Sequence, residues 1–412
     1  MEFLAFSKAF LSHSTITVLI LKEKGIKIIA LCDTDKSKLQ LAKKNLDLDD
    51  SALYDSDEKF FARGKIADIL FVCTQDALHF SHAIKGMKLG YDLLLEKPIA
   101  TSIKECDLIL KTAHETGRKV FVCHVLRYAP FFNEIKNEIR SGNYGKVITI
   151  SMTENVAYWH QAHSYVRGNW RNDKQSTPMI IAKCCHDLDL LSWFIDDKCI
   201  SVSSNGELSV YKKENAPEGC AKMCLDCKYI KDCPYSAEKI YIKDRAEKGF
   251  LEWPCDIIVN EPTVEKLYDA LKTSPYGRCV YKCDNNVVDH QIVNMQFKNG
   301  ATAQLTMTAF SQDCYREIHV HCEKGEIYGN MKDNKLFCNI FGKESKVIDV
   351  NIVADSAYGH GGGDWRMIDD VLSVYSGKEA KNLTTIDNSM QSHYIGFNAE
   401  ISRRNGGKNI KL

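Results

Sequence analysis

The sequence predicts an α/β protein in which a Rossmann-like, doubly wound parallel sheet is followed by an α+β domain with a mostly antiparallel sheet. Two observations carry this prediction. Short apolar runs at residues 26–33, 68–74, 91–95 and 120–124 alternate with helical patterns, which is typical of repeated βαβ units. After about residue 126 strand-like stretches dominate instead, and Asn299-Gly300 between two of them is a strong hairpin signal.

The helices of the first region have recognisable ends. Asp33 to Ser37 caps a helix that runs to about Leu46, and Ser102 and Glu105 have capping-box spacing before a helix that Gly117 ends. In the second region we expect helices at 130–139, 182–194, 364–376 and 386–402, and strands at 146–156, 198–210, 287–297, 301–310, 316–322 and 335–341. We divide the chain into domains 1–126 and 127–412, with a cysteine-rich insertion near residues 215–260 in the second.

Composition argues against several classes of protein. Lys plus Arg and Asp plus Glu both number 54, so the net charge is zero and nothing points to nucleic acid or an anionic membrane as a partner. No run approaches about 20 uninterrupted apolar residues, and Met1 to Leu21 lacks the features of a signal peptide. The 17 cysteines are odd in number, and several lie in apolar runs, which predicts buried thiols in a reducing, cytoplasmic compartment.

Several polar residues follow the predicted parallel strands directly. Right-handed crossovers place the carboxyl ends of such strands at one edge of the sheet, where ligands bind. The sequence therefore predicts a site at this edge, made by Asp33, Thr74, Glu96, Lys97 and His124. A strand that ends on Asp is typical of a dinucleotide fold, whose carboxylate accepts hydrogen bonds from ribose hydroxyls, although Asp is also a common helix N-cap.

The Glu96-Lys97-Pro98 segment ends the most apolar of these strands. Pro98 fixes the local turn, and the sequence leaves open whether its peptide bond is cis. A surface Glu–Lys pair at a strand end is the alternative interpretation.

Seven motifs in order resemble those of the Gfo/Idh/MocA oxidoreductases, the glucose-fructose oxidoreductase and inositol dehydrogenase family. The resemblance runs from about residue 26 to the C-terminus. The motifs are Ile29–Asp33, Thr74–His79, Glu96-Lys97-Pro98, His124–Tyr128, Asn169-Trp170-Arg171, His186–Asp189 and Ser392–Ser402.

The resemblance implies a nicotinamide cofactor on the first domain and a sugar or polyol against the sheet of the second. It makes Lys97 the catalytic lysine and His186 the acid/base histidine, and alcohol oxidation needs such a base for the hydroxyl proton. Asp33 favours NAD over NADP, because a carboxylate repels a 2′-phosphate. The predicted cofactor-binding residues are Asp33, Thr74, Asp76, His79, Glu96, Lys97, Arg127, Trp170 and Arg171.

The sequence departs from the family in two places. Met1 to Lys24 contains no glycine, whereas the family has a glycine-rich phosphate cradle after the first strand. We expect an N-terminal truncation, with a damaged cofactor site as the alternative, and we interpret Phe10–Leu21 as a remnant of the first helix with no strand before it. Ala182 stands where the family often has an acid, so Lys183 is a candidate to share the proton handling, or else an ion-paired helix residue.

Candidate substrate residues come from three further stretches. Aromatic rings interleaved with hydrogen-bonding groups at residues 158–167 suit a sugar face, with a hydrophobic loop anchor as the alternative. The glycine-rich stretch 358–364 is either a loop that brings His360 and Asp364 to the substrate or a plain connection. The predicted substrate residues are Tyr158, His160, His163, Asp189 and His360.

Four cysteines fall within one short polar segment, and two of them have C-x-x-C spacing. A structural zinc is the favoured interpretation, an iron–sulfur cluster is less favoured, and free thiols in an inserted loop are the remaining alternative. The candidate metal ligands are Cys220, Cys224, Cys227 and Cys233.

The sequence as a whole predicts an NAD(P)-dependent oxidoreductase that transfers a hydride between the cofactor and a sugar, polyol or related carbohydrate. One rival is an NAD-dependent glycosidase-type enzyme on the same scaffold. Another is a non-catalytic carbohydrate-binding pseudo-enzyme, motivated by the missing glycine turn. We expect a homo-oligomer, with the sheet of the second domain as the dimer face, and no nucleic-acid or membrane partner.

Overall fold

The computed structural model describes residues 2–7, 20–353, 359–380 and 382–412 of the chain. These residues contain a six-stranded and a nine-stranded sheet. The fold class expected from the sequence is confirmed, because the first sheet is parallel throughout and the second is mixed and mostly antiparallel.

The first sheet has the strand order β3-β2-β1-β4-β5-β6, a doubly wound order that reverses between β1 and β4. β4 is buried along its whole length, as a strand covered by helices on both faces must be. The strands are β1 (Glu2–Ser7), β2 (Lys27–Cys32), β3 (Leu53–Tyr54), β4 (Ile69–Cys73), β5 (Asp92–Leu95) and β6 (Val120–Val122).

The strand β1 corrects the sequence analysis, which expected no strand before the first helix. It occupies the middle of the sheet and pairs with β2 and β4. In the sequence analysis, the absence of glycine from residues 1–24 was interpreted as the absence of a first strand. A strand does not need a glycine-rich turn after it, so the two features are independent. Most of the predicted helical segment Phe10–Leu21 lies outside the described residues, and residues 20–23 are helical.

Among the described residues, four helices connect the strands of the first sheet from β2 to β6, and two of them have the caps expected from the sequence. The Asp35 side chain accepts hydrogen bonds from two backbone amides of the first turn of α1, and the Ser102 side chain caps α4 through the amide of Glu105. Gly117 ends α4 in the left-handed conformation, with φ of 64°. The helices are α1 (Lys36–Leu46), α2 (Asp57–Phe61), α3 (Asp76–Lys88) and α4 (Ile103–Thr116).

The second sheet has the order β14-β13-β12-β11-β7-β10-β9-β8-β15, and β7 and β10 are its one parallel pair. The Asn299-Gly300 hairpin is confirmed: β9 and β10 pair antiparallel across it, and Gly300 has φ of 89°. β12, β14 and β15 were not expected from the sequence. The strands are β7 (Val147–Asn155), β8 (Cys199–Glu207), β9 (His290–Phe297), β10 (Thr302–Thr308), β11 (Tyr315–Cys322), β12 (Gly325–Asn330), β13 (Lys335–Ile340), β14 (Lys346–Asp349) and β15 (Ile410–Lys411).

The helix expected at 182–194 is broken at Lys183-Cys184 into two, α7 and α8. Two further segments, Gln161–Arg167 and Glu238–Lys243, are π-helical, and Val125–Tyr128 forms one of several 3₁₀ turns. The helices of this region are α5 (Pro130–Arg140), α6 (Tyr158–His160), α7 (Met179–Ala182), α8 (Cys185–Ile195), α9 (Cys255–Ile258), α10 (Val264–Thr273), α11 (Val350–Val353), α12 (Gly359–Tyr375) and α13 (Ile386–Arg404).

The last two helices return to the first sheet. The amide of Val122 in β6 donates to the carbonyl oxygen of Thr384 at 2.7 Å, and the amide of Ile99 donates to Nε2 of His393 at 2.9 Å. Apolar side chains of α12 and α13 complete the cores on the two faces of this sheet. This docking brings the start of α12 to the edge where β4 and β5 end.

No helix in the described part of the chain combines the length and the apolar character that crossing a membrane requires.

Candidate active site

The turn after β5, which carries Glu96 and Lys97, is held by contacts of His79. The Lys97–Pro98 peptide bond is cis, which decides the question that the sequence left open. Buried His79 bridges two strand ends, because its Nδ1 lies 2.6 Å from the carbonyl oxygen of Pro98 and its Nε2 lies 2.9 Å from that of Thr74. The predicted cofactor contact His79 thus supports the turn that carries Glu96 and Lys97.

Lys97 connects the two domains. Its Nζ donates to the carbonyl oxygen of Ala182 at 3.0 Å, where α7 ends, and His186 lies four residues later in the first turn of α8. His186 is buried, and burial together with the charge of Lys97 holds the pKa of its imidazole well below the ordinary 6.5. A neutral imidazole beside an amine is the pairing expected of proton-handling groups.

The glycine-rich stretch delivers His360 and Asp364 to the same place. The ring of His360 lies 5.9 Å from that of His186, and its Nδ1 lies 2.8 Å from Oδ2 of Asp364. Gly361 and Gly362, with φ of 63° and 85°, make the turn that this approach requires. The interpretation of this stretch as a loop that reaches the active site fits the observed placement of both side chains.

Glu96 lies among these charged groups. Burial raises the pKa of its carboxyl group to about 7, a shift that Lys97 opposes and Asp364 reinforces. The site is therefore formed by Glu96 and Lys97 from the first domain and by His186, His360 and Asp364 from the second.

Lys183 belongs to a separate buried charge cluster behind this site. Its Nζ lies 3.3 Å from Oε1 of Glu154, and Nε of Arg316 lies 2.9 Å from Oε2 of Glu154 and 2.6 Å from Oδ1 of Asp187. Burial favours the neutral amine, yet Glu154 raises the pKa of Lys183 above its ordinary value. Lys183 keeps its proton here, which matches the ion-paired alternative rather than a base.

Sequence reasoning missed Glu154 and Arg316, although a signal for both exists. In β7 every second residue faces the core, and Ile150 and Met152 are buried on that face. Glu154 is the next residue on the same face, so its carboxylate is also directed into the core. In β11 Arg316 occupies the corresponding face and pairs directly with Glu154 across the two strands. Opposite charges on the core faces of adjacent strands predict such a buried pair.

Arg127 and Asp189 bind one another below the site. Nε and Nη2 of Arg127 donate to the two carboxylate oxygens of Asp189, both at 2.6 Å, and both side chains are buried. This bidentate pairing favours a structural role for both side chains, and the predicted contacts of Arg127 with cofactor and of Asp189 with substrate stay predictions. Buried His124 lies between this pair and the site, with its ring 5.7 Å from that of His186 and Nε2 4.0 Å from Oδ1 of Asp189.

The remaining predicted cofactor residues lie along the edge of the first sheet or face it. Asp33 is buried at the end of β2, and its Oδ1 accepts from the amide of Asp35 at 2.8 Å. Asp76 accepts hydrogen bonds from Nε1 of Trp170 at 3.1 Å and from Oγ of Ser176 at 2.6 Å. The predicted pair Asp76 and Trp170 is thus joined directly across the domains.

Two further predicted cofactor residues are placed less centrally. Arg171 makes a bidentate pair with Asp284, at 2.7 and 3.2 Å. Oγ1 of Thr74 lies 3.3 Å from Nδ1 of His82 on α3.

Family models match nearly the whole chain. One, for an oxidoreductase family with an NAD-binding Rossmann fold, matches residues 9–124, and the corresponding C-terminal alpha/beta domain matches residues 136–412. The chain belongs to the Gfo/Idh/MocA oxidoreductase family. The recognition made from the motifs is confirmed.

Curated relatives of this family member are distant. YteT of Bacillus subtilis (strain 168), a protein assigned as an oxidoreductase, is 22% identical over 84% of this chain and 82% of YteT. A glycosyl hydrolase family 109 protein of Solibacter usitatus (strain Ellin6076) is 27% identical over 48% of this chain, and an inositol 2-dehydrogenase of Pseudomonas syringae pv. syringae (strain B728a) is 26% identical over 43%. The chain spans about half the length of these two relatives, 49% of each.

The same fold occurs in a solved dehydrogenase. The WlbA dehydrogenase from Bordetella pertussis, in complex with NADH and UDP-GlcNAcA, superimposes with a TM-score of 0.70 at 17% identity, covering 100% of this chain and 97% of that one. At this identity the likeness concerns the fold.

The aromatic segment expected at the substrate is largely a packing element in this family member. Buried His163 stacks on Tyr276, with ring centroids 4.8 Å apart, and its Nδ1 lies 3.0 Å from the hydroxyl of Tyr241. Burial lowers the pKa of His163 to about 3. His163 therefore matches the alternative of a hydrophobic anchor rather than a substrate contact.

The two other predicted substrate residues of this segment lie beside it. The ring of His160 packs against Trp253 at 4.8 Å, and its Nδ1 lies 3.7 Å from Sγ of Cys314. The ring of Tyr158 is half-buried, 6.2 Å from that of Tyr235.

The four predicted metal ligands surround a cavity instead of a single point. Within the described residues, the only three or more metal-ligating groups within 4.8 Å of one another are His319, His321 and Glu326, on β11 and β12. No three of Cys220, Cys224, Cys227 and Cys233 lie within 4.8 Å of one another, whereas tetrahedral Zn–S bonds of about 2.3 Å bring sulfurs within about 4 Å, so the expected zinc site stays a prediction.

The raised pKa of Glu96 predicts a pH-dependent contribution to stability. In the unfolded chain the carboxyl group loses its proton near its ordinary pKa of 4.5, whereas in the folded protein it keeps the proton until about pH 7, so this group destabilises the fold increasingly as pH rises between these values. Glu96→Gln removes the effect. We expect its stability relative to the wild type to increase by about 1–2 kcal/mol between about pH 5 and about pH 8.

Thermal unfolding of both proteins across this pH range measures the effect. A stability difference that does not change with pH would contradict the raised pKa of Glu96.

Proposed function

We propose that this protein transfers a hydride between NAD and a secondary alcohol of a sugar, polyol or related carbohydrate. The observation that carries the proposal is Lys97, which extends from the carboxyl end of a parallel strand to the turn before buried, neutral His186. An amine and a neutral imidazole at the edge of a doubly wound sheet suit alcohol oxidation.

The residues at the carboxyl edge of the first sheet are placed to contact both ends of a bound dinucleotide. Asp33 offers a carboxylate at the end of β2 for the ribose hydroxyls, and Glu96 and Lys97 lie at the end of β5 beyond the reversal of strand order. The residues after β1, which would approach the pyrophosphate, lie outside the described part of the chain. When bound, the nicotinamide supplies the hydride acceptor.

The protein's own groups handle the proton. Oxidation of the alcohol removes a hydride from carbon and a proton from oxygen, and we assign that proton to the neutral imidazole of His186. Lys97 donates a hydrogen bond to the reacting oxygen and stabilises the negative charge that develops there. In the reverse direction His186 returns the proton to the carbonyl oxygen while Lys97 donates a hydrogen bond to the same oxygen.

The other members of the site position these two groups. His360 and Asp364 lie against His186 and Glu96, and the pair Arg127–Asp189 lies beneath them. Lys183 contributes as a fixed cation, because Glu154 keeps it protonated.

Carbohydrate is the substrate class that the relatives' names support. Inositol is a polyol, and the glycosyl hydrolase acts on sugars by its name. His360 and the aromatic segment beside His160 offer the rings and hydrogen-bonding groups that suit such a ligand.

Nucleotide binding tests the proposal directly. NADH fluorescence titration should show saturable binding, tighter than that of NADPH. Asp33→Ser should weaken NADH binding about tenfold or more, because a hydrogen bond to a charged group contributes about 1.5–3 kcal/mol. Asp35→Ser is the matched control, since Asp35 is an exposed helix cap two residues away and serine also caps well.

Failure to bind either nucleotide would overturn the proposal and favour the non-catalytic carbohydrate-binding alternative. The same titration also decides whether residues 1–24, which contain no glycine, permit dinucleotide binding.

A glycosidase-type reaction with recycled nicotinamide is a second candidate, favoured by the relative of glycosyl hydrolase family 109. It is distinguished by incubating the protein with NAD and a panel of glycosides. Release of free sugar without net NADH formation supports the glycosidase, whereas NADH formed in step with oxidised sugar supports the dehydrogenase.

A further inference from the structure

The insertion between β8 and β9 encloses a cavity of about 230 Å³ whose wall is rich in thiols. We call it the cysteine cavity. Three of its cysteines are buried and two are half-buried. Aromatic and aliphatic side chains, among them Tyr235 and Val280, form the remaining wall. The lining cysteines are Cys220, Cys224, Cys227, Cys233 and Cys279.

Two segments far apart in sequence bring these thiols together. Residues 220–233 supply four of them, and two of these flank one 3₁₀ turn, which begins at Cys224 and ends just before Cys227. The amide of Cys279 donates to the carbonyl oxygen of Lys222 at 2.9 Å, and Met223 and Arg278 form a β-bridge. Cys279 is thus a member of the cavity that spacing within the first segment did not reveal.

A buried cation points at the cavity. Arg167 is 0% exposed, and its Nη2 donates to Sγ of Cys224 at 3.4 Å and to the carbonyl oxygen of Tyr235 at 2.6 Å. Its Nε donates to the carbonyl oxygen of Arg278 at 2.7 Å, and its Nη1 has no hydrogen-bond partner among the described residues. A guanidinium buried this deeply is stabilised by nearby negative charge.

Metal binding would supply that charge. Each cysteine that binds iron or zinc loses its proton and becomes a thiolate.

The spread of the thiols distinguishes a cluster from a single ion. One zinc holds all its sulfurs within about 4 Å of one another, yet no three of these thiols come within 4.8 Å. In a four-iron cluster each of the four thiolates binds a different iron, so the thiolates surround an inorganic core. A cavity between spread thiols is the arrangement that such a core needs.

We propose that the cysteine cavity binds an iron–sulfur cluster of the four-iron class. Cys224, Cys227 and Cys233 are three ligands, and the adjacent pair Cys220 and Cys279 provides the fourth. Arg167 offsets the negative charge of the cluster and couples it to the π-helical segment Gln161–Arg167. The cluster is structural, takes no part in the hydride transfer, and is independent of the proposed function.

Anaerobic reconstitution tests the proposal. The purified full chain is incubated with ferrous iron, sulfide and a thiol reductant, desalted, and assayed for iron, acid-labile sulfide, visible absorbance and zinc. We expect about four iron and four sulfide per chain and a broad visible band. Cys227→Ser, at a half-buried position, should retain less than about a third of the iron, and circular dichroism checks that it folds.

Cys255→Ser is the matched control, because Cys255 is a buried thiol of the same insertion that does not line the cavity, and it should retain the full iron content. Equimolar zinc that excludes iron would overturn the cluster in favour of a mononuclear site. Reconstituted protein without iron, or equal iron in Cys227→Ser and wild type, would also overturn it.

Discussion

Lys97→Met should fold normally, bind NADH as the wild type does, and lose about 10²–10³-fold in kcat. Methionine has nearly the same length and keeps the apolar contacts of the lysine stem, but it has no charge and no hydrogen-bond donor. The loss follows from the role assigned to Lys97, because removing a donor to a developing oxyanion costs about 10²–10³-fold. The initial rate of NADH formation, with the carbohydrate that turns over fastest in a panel, measures it.

Lys104→Met is the matched control. Lys104 is exposed on the first turn of α4, seven residues after Lys97, and the same substitution there should leave kcat unchanged. Wild-type turnover by Lys97→Met would show that the assignment of Lys97 is wrong. Equal loss in both variants would indicate general damage to the protein rather than removal of a catalytic group.

The sequence predicted the part of the site that local patterns determine. Asp33, Thr74, Glu96 and Lys97 each follow a buried apolar run, so the parallel arrangement alone places them at one edge. His186 was located by its motif. These predictions needed only strand period, crossover handedness and a recognised order of motifs.

The remaining features depend on how distant elements pack. His360 reaches the site because α12 docks on the first sheet, a contact that no local pattern encodes. The motif residues Arg127 and Asp189 are of types that often contact ligands. They face one another because two segments 62 residues apart pack together, and the sequence does not show that packing. Cys279 was missed for the same reason, since only folding brings it beside Cys224.

Asp189→Asn should destabilise the protein by about 3–5 kcal/mol, the largest stability effect that we expect from a single substitution. Asparagine is isosteric, so the cost comes from leaving the guanidinium of Arg127 buried without its counter-charge. Asp50→Asn makes the same exchange at an exposed pair, where Lys43 lies 2.6 Å from Oδ1 of Asp50, and should cost about 0–1 kcal/mol. Urea unfolding monitored by circular dichroism compares the two.

The same variant decides between two roles for Asp189. If the pair is a scaffold, Asp189→Asn loses stability, while the KM for carbohydrate measured well below its unfolding temperature changes little. If Asp189 instead contacts substrate, KM rises strongly and stability falls by less than about 1 kcal/mol, because a carboxylate that faces a ligand is not holding a buried cation. The short bidentate geometry and the burial of both partners favour the first outcome, since removing the charge of Asp189 then removes the charge partner of Arg127.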